Sequence, residues 1–265
     1  MTVPPCPWID SHAHLTMFEP EEVGPALERA VMAGVAGVLV PATGGEDLEA
    51  VVALAAEHPG RIVAAVGIHP HETSTLDAAM RRRVQRAAGL PGVVAIGEIG
   101  LDYHYMHSPR EDQIAALEWQ LDLARDAGLP VVLHNRESWD DLWDVLRPRE
   151  GVVQGVCHSF TEGPAEARAI TGLGMLVGIS GMVTFNRADN IRELVRSLEP
   201  GSVLVETDSP YLAPVPHRGK RNEPAFVVEV ARAVARELAL EEDELRCLTF
   251  ESFRTLFGTA SWPEP

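Results

Sequence analysis

SPREDQIAALEWQLDLARDAGLPVVLH, residues 108–134, reads as one complete helix-to-strand repeat. Ser108-Pro109-Arg110-Glu111 has the form of a capping box with proline at the first helical position. Ile114, Leu117, Leu121 and Ala124 then fall on one face of a 3.6-residue period, and Gly128 is a natural stop. The run Leu129 to Leu133 follows, apolar without alternation, as in a strand buried on both faces. It ends abruptly on His134.

The same alternation runs through the chain. Strand-like runs are expected at 8–12, 35–41, 62–68, 93–99, 130–134, 152–158, 175–179 and 203–208. Besides the helix beginning at Ser108, helices are expected at 20–33, 46–58, 74–88, 137–146, 163–173, 188–198 and 223–240, with one more in the tail at 241–257. Strands alternating with helices imply a parallel sheet with right-handed crossovers. Eight repeats close it into an α/β fold, a single-domain (β/α)8 TIM barrel over residues 1–265. An open doubly wound sheet fits less well, because no glycine-rich phosphate fingerprint follows the first strand.

Composition narrows the class. With 46% apolar residues the chain can build a sizeable core, and it has no apolar run of the roughly 20 residues that cross a bilayer. Met1 to Pro7 does not read as a secretory signal. Cys6, Cys157 and Cys247 are widely separated, form no zinc-type pair and fit a reducing, cytoplasmic setting. The net charge of −17 argues against a long nonspecific grip on nucleic acid. It leaves room for a phosphate captured at one point, since exposed charges are screened beyond about 8 Å and bound cations reverse the local field. No obligate protein partner is evident.

The chemistry gathers at the ends of the strand-like runs. His12 and His14 are two residues apart, so on an extended chain both face the same side. Glu98 stands between glycines in Gly97-Glu98-Ile99-Gly100-Leu101-Asp102, where backbone or metal can approach closely. A carboxylate there is costly unless ionically compensated, and its two oxygens allow it to bridge two cations. His134, His158 and Asp208 each close an apolar run. Strand eight neighbours strand one in a closed barrel, which brings Asp208 beside the histidine pair. Taken singly, each group reads equally as a hydrogen-bonded strand-end residue; taken together, four imidazoles and two carboxylates can hold two divalent metal ions. Such pairs lie about 3.5–4 Å apart and generate a hydroxide near neutral pH. Zinc, manganese or iron suits the imidazoles, magnesium the oxygens. Glu206 and Asp10 share this face one layer down, either as buried structure or as support.

Asp10 to Leu15, Gly67-Ile68-His69-Pro70-His71, Gly97 to Tyr103, Glu206 to Pro214 and Arg218 to Pro224 together resemble the TatD-type metal-dependent hydrolases of the amidohydrolase superfamily. The likeness runs in order from about Ile9 to Phe257. It implies a barrel with deoxyribonuclease or related phosphodiesterase activity on DNA or nucleotide substrates. It assigns His12, His14 and Asp208 to one metal and His134 and His158 to the other, with Glu98 between. The stretch His158-Ser159-Phe160-Thr161-Glu162-Gly163 departs from the family's usual His-x-Phe-x-Gly wording.

Catalysis is accordingly expected to rest on Asp208, as proton acceptor, and Glu98. His69, Arg136, Arg218, Arg221 and Asn222 are candidate substrate contacts, though Arg136 reads equally as an ordinary surface arginine and His69 as a turn residue. Trp119, Trp139 and Trp143 fall on helices and read as packing rather than base stacking. The expected activity is cleavage at DNA ends or in short single strands. The competing readings are an amide or ester hydrolase, including an aminoacyl-tRNA deacylase, and a non-catalytic metal-dependent binding protein.

Overall fold

The computed structural model describes residues 6–258. The ends of the expected 1–265 domain, 1–5 and 259–265, lie outside the described residues. Eight parallel strands follow one another in sheet order without a swap: β1 (Trp8–Asp10), β2 (Val35–Pro41), β3 (Ile62–Val66), β4 (Val93–Asp102), β5 (Val131–Arg136), β6 (Gly155–Cys157), β7 (Leu176–Ile179) and β8 (Val203–Val205). The last strand returns to the first. Ser11 N donates to Val205 O at 3.1 Å and Asp208 N donates to His12 O at 2.9 Å. A parallel bridge joins Ala13 to Ser209. Buried Asp10 reinforces this seam, accepting from Thr207 N at 2.8 Å and from the Thr207 hydroxyl at 2.6 Å. Burial pushes its carboxyl up to about 8. The fold is a (β/α)8 barrel.

The helices are α1 (Pro20–Met32), α2 (Leu48–Glu57), α3 (Ala78–Ala87), α4 (Arg110–Ala127), α5 (Trp139–Leu146), α6 (Pro164–Gly172), α7 (Asp189–Arg196), α8 (Val227–Leu238) and α9 (Glu242–Phe257). None is long and apolar enough to cross a membrane. α4 stops at Gly128, which takes the left-handed conformation with φ 65°. Its start differs from expectation. Pro109 is the cap residue and no side chain closes a capping box. The Ser108 hydroxyl instead donates to His71 O at 2.8 Å, tying the loop after β4 to the loop after β3. A long-range acceptor outcompetes the local one.

Apolar side chains fall into two layers. The larger lies between strands and outer helices. The smaller fills the barrel interior with Ile9, Leu39, Val63, Ala65, Ala95, Val132, Val156 and Leu204, plugged by Phe250, Phe253 and Phe257 of α9. α9 sits at the end of the barrel where the strands begin: the Ser252 hydroxyl donates to Gly201 O just ahead of β8. Phe253 is fully buried. Phe253→Ala should therefore destabilise the fold by about 3–5 kcal/mol, read as a lower urea midpoint at unchanged slope; a loss below about 1 kcal/mol would mean that α9 does not plug the core.

Cys6 and Cys247 form a disulfide across 241 residues of chain, with Cα atoms 5.2 Å apart, while Cys157 is free and buried. The pairing of Cys6 with Cys247 departs from the expectation that these widely separated cysteines fit a reducing setting. Their sequence separation is large, but a closed barrel whose last helix folds under the first strand brings the two positions together.

Candidate metal centre

Each candidate ligand lies in the second half of its strand or just beyond it, toward the end opposite α9, where the loops build a cavity of about 870 Å³. Glu98 gets there by a local irregularity. Between β4 and β5 the register shifts, with Ile96 opposite Val131 but Ile99 opposite Leu133, so Gly97 and Glu98 together oppose Val132 and β4 carries one extra residue. A bulge of this kind re-aims a side chain, and Glu98 turns inward to 2% exposure. The flanking glycines are obligatory for packing. A Cβ on Gly97 would stand 2.7 Å from the Val132 Cβ, and one on Gly100, where φ is 144°, only 2.0 Å from His134 O.

The two oxygens of Glu98 face two different groups of donors. Oε2 lies 3.2 Å from His12 Nε2 and 3.6 Å from His14 Nε2. Asp208 Oδ1 completes that side at 3.4 Å from His14 Nε2. Oε1 lies 2.8 Å from His134 Nδ1, 2.9 Å from His158 Nε2 and 3.4 Å from His69 Nε2. All six residues expected as metal ligands are thus brought together, in the two subsets that the resemblance implied. Imidazole, carboxylate and a bridging carboxylate form a donor set suited to divalent transition metals.

The residues fit cations on chemical grounds as well. Glu98 Oε2 is buried and has no hydrogen-bond partner among the described residues, although the Nε2 atoms of His12 and His14 point at the same spot, 3.2 Å from each other. Lone pairs converging without a proton donor are what a metal ion satisfies. Burial works to raise the Glu98 carboxyl, but His158, His69 and His12 outweigh it and hold it well below the usual range. Burial likewise works to lower His158, yet Glu98 and Glu206 on either side raise it well above an ordinary imidazole. For His69 burial wins, lowering it to about 4.

Two supporting carboxylates stand behind the ligands. Asp102 Oδ2 faces His134 Nε2 at 3.1 Å and His71 Nε2 at 3.0 Å. A proton held on Nε2 by Asp102 would leave Nδ1 to ligate a cation beside Glu98 Oε1. Sequence reasoning gave Asp102 no role, although strand alternation through Glu98, Gly100 and Asp102 could have found it. Glu206, fully buried, accepts from Ser159 N and lies 3.4 Å from His158 Nδ1.

The expected substrate contacts divide. Arg136 lines the cavity, its guanidinium 4.7 Å from the Tyr105 ring centroid. His69 also lines it, close enough to Glu98 and His134 to count with the donors. Arg218, Arg221 and Asn222 do not line it. Arg218 lies over Phe185 at 3.7 Å, and Arg221 pairs with Glu22 and covers Phe18. Asn222 is buried and donates to Thr207 O at 2.8 Å and to Tyr211 O at 2.6 Å.

The family model for TatD related DNase matches residues 9–258. The chain belongs to the TatD family. It is 36% identical over 264 residues to the uncharacterized metal-dependent hydrolase TatD of Mycobacterium tuberculosis, covering 94% of this chain and 97% of that protein. It is 34% identical over 241 residues to the 3'-5' ssDNA/RNA exonuclease TatD of Rahnella sp., covering 89% of this chain and 92% of the relative. Among solved structures, the TatD homolog YJJV of Escherichia coli superimposes with a TM-score of 0.89 at 32% identity, covering 96% of this chain and 98% of the other. This TatD-family protein is a metal-dependent hydrolase.

Proposed function

We propose that this TatD-family hydrolase holds two divalent cations and cleaves phosphodiester bonds of single-stranded DNA or RNA near chain ends. The observation that carries the reading is the split orientation of Glu98, one oxygen toward His12, His14 and Asp208 and the other toward His134 and His158. The relative in Rahnella sp. named for exonuclease activity points to a nucleic-acid strand as substrate.

His12, His14 and Asp208 would hold one cation, His134 and His158 the other, with Glu98 shared and His69 alongside. Bound there, the cations supply Lewis acidity toward a phosphoryl oxygen and lower the pKa of a water molecule. The protein's own groups do the rest. Asp208, 14% exposed on the cavity wall, offers a carboxylate to take the proton of that water. Arg136, the one arginine or lysine among the described cavity-lining residues, faces the phosphate with a forked guanidinium. Asp102 keeps the proton of His134 on Nε2, away from the cations. The buried floor of His12 and Glu98 excludes bulk water and strengthens these interactions.

The test uses protein stripped by a chelator and reloaded with zinc, manganese or magnesium. Labelled single-stranded DNA, duplex DNA, RNA and an amide or ester substrate are offered to wild type and to His134→Ala. Strand cleavage that requires the metal and falls about a hundredfold or more in His134→Ala is expected. Cleavage of the amide or ester alone, or strand cleavage indifferent to chelation, would contradict the proposal.

A further inference from the structure

Two exposed tyrosines flank the metal centre from opposite rims. Tyr105 follows β4 and Tyr211 follows β8, and in an eight-strand barrel ordered β1 to β8 these strands face each other across the mouth. Each residue is 51% exposed and each lines the cavity. An exposed aromatic ring on the wall of a site presents its π-face to whatever ligand enters.

Both rings are seated firmly. Tyr211 N donates to Asp208 O at 2.9 Å, and its carbonyl receives the buried Asn222 amide. Its hydroxyl lies 3.2 Å from Met17 Sδ and its ring meets His14 edge-on. This accounts for Asn222, which positions Tyr211 rather than touching the cavity. On the other rim, Tyr105 N donates to Asp102 Oδ1 at 2.9 Å, and the ring lies nearly parallel to His107, at 16°, with Arg136 against it. Each tyrosine is thus coupled through backbone or carboxylate to a residue of the metal centre.

Building on the nuclease reading, we propose that Tyr211 and Tyr105 are base-stacking platforms on the two sides of the scissile phosphate. A strand laid across the mouth would place one base on Tyr211 and the other on Tyr105, with the intervening phosphate above Glu98 and toward Arg136. Stacking uses the π-face that every base presents, so it is tolerant of sequence and of sugar type. It demands unpaired bases, which excludes an intact duplex. The helix tryptophans are not alternatives: Trp139 and Trp143 stack on each other 5.8 Å apart, and Trp119 lies under Arg81.

The experiment compares oligothymidylate with an abasic strand of the same length as substrates for metal-loaded wild type, Tyr105→Leu, Tyr211→Leu and the two phenylalanine variants. The readout is the ratio of kcat/KM on the two strands. Wild type should prefer the base-bearing strand, each leucine variant should lose about tenfold of that preference, chiefly through KM, and phenylalanine should retain it. A preference unchanged in both leucine variants would overturn the platforms while leaving the nuclease intact. Wild type inert toward both strands would overturn the nuclease reading and the platforms together. Both positions are exposed, so folding is not at stake.

Discussion

Glu98→Gln is expected to lower strand cleavage about a thousandfold or more and to reduce the bound metal from two ions per chain to one or none. Glutamine keeps the shape of the side chain at a position only 2% exposed, so the barrel should remain folded by circular dichroism. It removes the charge that two donor groups share. One glutamine oxygen can face either His12 and His14 or His134 and His158, but the amide nitrogen then turns its protons toward the other set. Loss of a Lewis acid worth several kcal/mol to the transition state sets the scale. Activity within tenfold of wild type, measured with saturating manganese, would show that Glu98 does not join two cations.

The second large effect concerns the opposite end of the barrel. The disulfide of Cys6 with Cys247 closes almost the whole chain into one loop. Loop-closure entropy for so long a loop amounts to about 5 kcal/mol in the unfolded state, and each kcal/mol moves the melting temperature of a domain this size by roughly 2–4 °C. Cys247→Ser, or reduction of the wild-type protein, should therefore lower the Tm by roughly 10 °C or more. Activity at moderate temperature should persist, because the metal centre lies at the other end of the strands. An identical Tm for oxidised, reduced and Cys247→Ser protein would remove the disulfide from the account of stability.

The fold was legible because burial on both faces erases alternation in the strands, and because glycine and polar residues punctuate each repeat. Strand β2 matches its expected span residue for residue, and every expected helix forms, with its ends at the expected residues or up to four residues inside them. The metal-binding candidates were legible for a related reason: a histidine or carboxylate that closes an apolar run falls in the second half of a strand, as Glu98 and His134 do, or just past it, as His158 and Asp208 do. Features set by distant chain segments were not legible. The bulge that aims Glu98 depends on register against β5, the Ser108 hydroxyl is claimed by His71 O, and Cys6 meets Cys247 only after the barrel closes. That Arg218 and Arg221 lie outside the cavity lining was hidden for the same reason, since local sequence shows neither Phe185 nor Phe18, the rings they cover.

The most direct test of the account is anomalous diffraction from crystals soaked in manganese. Two peaks should flank Glu98, one nearest His12, His14 and Asp208 and the other nearest His134 and His158. A single peak bound by one subset, or density lying away from the Glu98 carboxylate, would contradict the shared-carboxylate centre on which the proposed chemistry rests.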